Sequence, residues 1–126
     1  MDIRNAQDYT NMMKYLFVKP PYLPGFAIDV LVAEKVKRRA LEQKMFRDIM
    51  ADMDQTATLS SIRLPTFIIW GARDRVIQVD NAEFLHQKIA GSRKEVLEGV
   101  GHCPMIEKPD VTSEVYRAFL QGIRPL

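Results

Sequence analysis

Pro65-Thr66-Phe67-Ile68-Ile69-Trp70-Gly71-Ala72-Arg73-Asp74 decides how this chain is read. Residues 65–70 form a short apolar run rich in β-formers, and Gly71 stops it. A continuous run without alternation marks a strand of a parallel sheet, buried on both faces. Downstream, Asp80 or Asn81 is placed to cap a helix reaching about Ala90, with Phe84, Leu85 and Ile89 inward and Gly91 as its stop. Lys94-Glu95-Val96-Leu97-Glu98 reads as a second, shorter strand, and Gly99-Val100-Gly101-His102 as a turn. Pro109 opens a last helix with Val111, Val115 and Phe119, joined by Ala118 and Ile123, on its apolar side. Strand, helix, strand, helix implies a right-handed crossover and a parallel pair, so the fold class is α/β.

Residues 1–57 have a different rhythm. Tyr9, Met12, Met13, Leu16 and Phe17 share one helical face, which places a helix over about 5–17 with Asn5 as N-cap. Lys19-Pro20-Pro21 ends it, and Pro24-Gly25 punctuates again. A second helix is expected over about 26–55, with Leu41, Met45, Phe46, Ile49, Met50 and Met53 as its apolar stripe. Lys35-Val36-Lys37-Arg38-Arg39 reads as a solvated helix face, the usual role of such a run, or as a contact for anionic lipid headgroups. Met12, Met13, Met45 and Met50 are either plain core or the lining of an adaptable acyl-chain groove, because thioethers are soft and flexible. The chain therefore divides into a helical segment, 1–57, and a βαβα unit, 58–126.

With 47% hydrophobic and 27% charged residues, the chain has the composition of a folded globular protein. Its net charge of +2 is too small to imply nucleic acid. Proline or charge breaks every dense apolar stretch before it could span a bilayer. The N-terminus has no apolar signal-peptide core. Cys103 is the single cysteine, which excludes an intrachain disulfide and suits a reducing compartment. The expected location is cytoplasmic or peripherally membrane-associated.

Two strands cannot stand alone. Apolar on both faces, with two open edges, they need a further portion of protein or a partner chain to cover them. In an open parallel sheet the loops after the strand C-termini build the site. Here those loops carry Asp74 and His102. A carboxylate beside an imidazole holds one tautomer and stabilises the imidazolium; the imidazole moves the proton of a nucleophile. By residue type alone, a turn-forming Asp and a structural His explain the same positions.

The longer stretch Ser61–Ile77 resembles the penultimate strand of α/β-hydrolases, with the pattern P-T-x-x-x-W-G-x-x-D-x-V. Gly99–Pro109 resembles their G-H-x-P-x-x-E-x-P loop after the final strand, and His102 follows Asp74 by 28 residues in the family's order. Within the superfamily the chain is most similar to bacterial lipases and the monoacylglycerol-lipase branch. Phe17–Pro21 and Lys44–Ile49 resemble the helical cap of that branch. The resemblance implies the C-terminal portion of an α/β-hydrolase fold, its last two parallel strands preceded by a cap and incomplete on its own. It implies Asp74 as triad acid, His102 as triad base, Glu107 and Pro109 as shapers of the His loop, and Phe17, Val18 and Met45 against an acyl pocket. Implied partners are an apolar ester or lipid substrate and either the missing N-terminal hydrolase portion or a second copy, with peripheral membrane contact through the cap.

The family's nucleophile sits in G-x-S-x-G upstream of the acid. Ser60, Ser61, Ser92 and Ser113 are the only serines, and none lies in such a motif. The oxyanion-hole loop also belongs upstream. Cys103 is expected to be an inert thiol, His86 an exposed helix residue and Trp70 a packing residue at the strand end. Ligand spacing for a metal is absent, and no cofactor is expected. Two functions stay open: a lipase or esterase to which this chain gives acid, base and cap, or a non-catalytic truncated product or interaction module. Related chemistries such as dehalogenation use a similar acid and His, and the nucleophile would discriminate.

Overall fold

In the computed structural model, which describes residues 2–51 and 54–123, the order is α1 (Ala6–Leu16), α2 (Gly25–Ala51), α3 (Thr56–Leu59), β1 (Phe67–Gly71), α4 (Asp80–Lys88), β2 (Arg93–Leu97), α5 (Pro104–Glu107) and α6 (Pro109–Gln121). Helix α1 begins as its sequence dictates. The Asn5 side chain accepts the Asp8 N–H at 2.9 Å, satisfying one of the donors that a helix start leaves free. Tyr9 is buried from its apolar face, and Phe17, just past its end, is only 5% exposed.

Helix α2 behaves otherwise. Its 27 residues bury no side chain completely. Leu41, Met45, Phe46, Ile49 and Met50 of the expected stripe are all exposed; Met53 lies outside the described residues. The basic run is paired along its length. Lys35 meets Glu42, Lys37 and Arg38 meet Glu34, and Arg39 meets Asp2. No helix among the described residues is long and apolar enough to cross a membrane.

Strands β1 and β2 pair in parallel, from Phe67 opposite Arg93 to Gly71 opposite Leu97. Helix α4 is the crossover and packs along both strands. The Phe119 ring of α6 stacks on Phe67 at 4.9 Å. The core lies where these pieces meet the loop after β2, and contains Ile68, Ala82, Ile89, Leu97, Val100 and Phe119.

Several local expectations need correction. Val79, not Asp80 or Asn81, occupies the N-cap of α4, and no side chain caps it. The helix stops at Lys88, and Phe84 is exposed beside buried Ala82 and Ile89. Val111 likewise faces out from α6. Of β1, Ile68 and Gly71 are buried while Phe67, Ile69 and Trp70 keep part of their surface. A two-stranded sheet with three helices against it has apolar side chains on both faces but too few elements to cover them. Helices α3 and α5, four residues each, are too short for periodicity to register.

Candidate active site

The two strand ends meet because of two glycines. A Cβ on Gly71 would sit 1.9 Å from the Gly101 carbonyl oxygen and 2.6 Å from that of Val100. A Cβ on Gly101 would sit 2.5 Å from the Leu16 carbonyl oxygen. Only a hydrogen fits in either place, so the loop after β1 and the loop after β2 lie in direct contact. Ala72 N–H donates to the Leu97 carbonyl at 3.0 Å and Arg73 N–H to that of Val100 at 2.8 Å, stitching them together.

Asp74 follows this seam. Its Oδ1 accepts N–H bonds from Val76 at 2.8 Å and Ile77 at 3.0 Å. Its Oδ2 lies 2.9 Å from His102 Nδ1. The Asp74 side chain is 4% exposed and that of His102 32%. Burial alone raises the Asp74 pKa, but the Ile77 N–H, the His102 bond and the Val76 N–H together outweigh it, and the carboxyl is held below its ordinary value. An ionised carboxylate only accepts, so Nδ1 carries the shared proton, and in the neutral ring Nε2 is the free acceptor. A cavity of about 190 Å³ opens beside the pair, lined among others by Trp70, Ile77, Met105 and Thr112.

Glu107 braces the base loop. Its Oε1 accepts the Gly101 N–H at 2.6 Å, and its Oε2 accepts those of Val18 at 2.8 Å and Lys19 at 3.0 Å. The carboxylate therefore ties the turn before His102 to the segment leaving α1. Pro109 starts α6 directly behind it.

Burial, then the nearby charges of Glu107 and Asp74, raise the Cys103 thiol, which disfavours the thiolate a nucleophile needs. His86 is half-buried rather than exposed, because its Nδ1 lies 2.9 Å from the Oγ of buried Ser92. Trp70 is half-exposed, and its indole N–H donates to the Ile77 carbonyl at 3.1 Å, a tether across the acid loop that no sequence pattern announced. Ser61 and Ser113 donate to backbone carbonyls in their own turns. Phe17 is buried in the α1 exit, Val18 is half-buried, and Met45 is 52% exposed on α2. A second cavity of about 570 Å³ lies between α1 and α2; Met12, Leu16, Phe46 and Val76 give it apolar walls, and Lys35, Arg39, Glu42 and Arg47 a charged rim. Among the described residues no three His, Cys, Asp or Glu gather as a metal site.

Comparison with known proteins bears on the family and the fold. The profile of the alpha/beta hydrolase fold matches residues 7–109. Lipase 1 of Psychrobacter immobilis is 29% identical over 93% of this chain and 38% of its own length. A monoacylglycerol lipase of Bos taurus is 30% identical over 80% of this chain and 31% of its own. The crystal structure of a membrane phospholipase A, a bacterial virulence factor, superposes on 99% of this chain and 41% of its own with a TM-score of 0.91 at 29% identity. The chain thus spans less than half the length of each of these relatives. Two parallel strands with an acid and a histidine on their end loops, a profile match over most of the chain, and lipase-like relatives place it in the α/β-hydrolase fold family.

Proposed function

We propose that this chain supplies the acid, Asp74, and the base, His102, of a carboxylester hydrolase acting on acylglycerols or similar apolar esters. The observation that carries the reading is the 2.9 Å bond between His102 Nδ1 and a nearly buried, ionised Asp74. In this reading Nε2 takes the proton of a serine hydroxyl as its oxygen attacks the ester carbonyl. It returns that proton to the leaving alcohol, then repeats the cycle with water to free the acid. Asp74 keeps its charge throughout and stabilises the imidazolium. The serine comes from a G-x-S-x-G segment, and the oxyanion donors from that segment and a further upstream loop, none of which these 126 residues contain.

The acyl chain would lie against α1 and α2, where Met12, Leu16 and Phe46 line the larger cavity. Phe17, Val18 and Met45 do not line that cavity themselves; Phe17 and Val18 are proposed to support its wall behind Leu16. Exposed Phe26, Val30, Leu41 and Met45 of α2 would meet a lipid surface through apolar contact, since the basic run is already ion-paired.

Alone, the 126-residue chain should hydrolyse p-nitrophenyl esters no faster than its His102→Ala variant. Combined with an upstream segment carrying G-x-S-x-G it should turn over, and His102→Ala should then cost at least about ten-thousand-fold in kcat. Turnover unaffected by His102→Ala would refute the assignment. A second reading, a non-catalytic module, is the one that inactivity of the combined chains would support.

A further inference from the structure

Helix α1 ends against both loops that carry the acid–base pair. Its last three residues each make a bond there. The Lys14 carbonyl accepts Arg75 Nη1 at 3.2 Å. The Tyr15 hydroxyl donates to the Arg75 carbonyl. The Leu16 carbonyl accepts the His102 N–H at 2.8 Å. The last carbonyls of any helix lack partners within it; here one is filled from the acid loop and another from the base loop.

Arg75 stands next to Asp74, yet its guanidinium makes no ion pair with that carboxylate among the described residues. It reaches α1 instead. The bonds from Val76 and Ile77 aim the carboxylate within its own loop, and those of Ala72 and Arg73 anchor the loop on the near side of Asp74. Arg75, gripped through both its side chain and its carbonyl, anchors it on the far side. Asp74 is thereby bracketed, and the body that brackets it also holds the His102 backbone.

We propose that Tyr15 and Arg75 are positioning residues that hold Asp74 at hydrogen-bond distance from His102, with the last turn of α1 as the rigid reference for both loops. The proposal rests on the acid–base reading above and adds that the helix entering the cap region sets the geometry of the pair. A change in how α1 sits would then reach both loops at once. Neither residue touches substrate in this scheme; each acts through Asp74.

The test is nitrogen-edited proton NMR of the full 126-residue chain, whose only histidines are His86 and His102. The His102 Nδ1 proton is identified by its loss in Asp74→Asn. Tyr15→Phe and Arg75→Ala should each shift that resonance upfield and speed its exchange with water roughly fivefold, the weight of one lost hydrogen bond. Arg75→Lys, which keeps a donor for the Lys14 carbonyl, should recover part of the effect. If Arg75→Ala fails to fold, Tyr15→Phe, which removes a single oxygen, carries the measurement. Variants that lower the melting temperature but leave the resonance and its exchange unchanged would overturn the proposal and reduce the contacts to packing. Absence of any Asp74-dependent proton in the parent chain would overturn the acid–base pairing itself, and the proposal with it.

Discussion

At the scale of single residues, Asp74 and Gly71 carry the sharpest consequences. The folded Asp74 carboxyl is held below its ordinary value. A depressed folded pKa contributes stability that is fully present above the unfolded value, about 3.9, and is lost as pH falls through the folded one. Thermal denaturation followed below about pH 4 should therefore show a loss of stability that Asp74→Asn flattens. An equal acid dependence in both proteins would assign the loss to other carboxylates. Gly71→Ala is a steric test. Its Cβ would meet backbone oxygen at 1.9 Å, and no rotamer change relieves a backbone contact. It should cost about 3 kcal/mol or more, at the upper end of overpacking, and separate the two loops. A variant with unchanged melting temperature and an intact His102 Nδ1 proton would contradict the close contact at this seam.

At the scale of elements, Glu107 matters more than the length of α5 suggests. One carboxylate accepts three backbone N–H groups, two from the distant segment at Val18 and Lys19 and one from the nearby turn at Gly101. Glu107→Ala would leave part-buried Val18 and Gly101 donors without partners, at a cost of about 2–4 kcal/mol. Glu107→Gln keeps one acceptor oxygen and should cost roughly half of that. Urea denaturation would rank the two, and the reverse order would show that charge rather than acceptor count holds the loop. The Asn5 cap is a local control. Asn5→Ala should remove about 1 kcal/mol without disturbing the His102 signal, because the cap lies at the far end of α1 from both loops.

At the scale of the whole molecule, surface area is the telling quantity. The chain exposes 9344 Å². A compact monomer of its mass, 14.5 kDa, exposes about 6,900 Å² by the usual size scaling. The excess is of the size buried in obligate assemblies, and large apolar side chains such as Phe26, Phe46, Leu64 and Met105 contribute to it. Among the described residues the two-stranded sheet also leaves one edge of each strand unpaired. Sedimentation of the isolated chain should show self-association, reversed when a segment completing the sheet is supplied. A monomer at all concentrations would show that two strands and these helices suffice.

What could be read in the residues was the part governed by local chemistry. The Asn5 cap and Pro109 at the head of α6 each encode their element within a few neighbours, and the structure has them; the apolar run 65–70 also forms its strand, which starts at Phe67 and carries through Gly71. Asp74 and His102 were legible as a pair only because two motifs stand in a known order, 28 residues apart. Sequence had no means of showing which faces would be covered. Phe84, Val111 and the α2 stripe are apolar by composition yet exposed, because burial depends on what else is present to pack against them. Nor could it show that Arg75 turns from its neighbour Asp74 to the end of α1, that Trp70 bridges to Ile77, or that Glu107 joins residues 88 and 89 positions away. Local propensity acts over a few residues and fixes elements and caps. The bonds that align the acid with the base form between segments that only folding brings together.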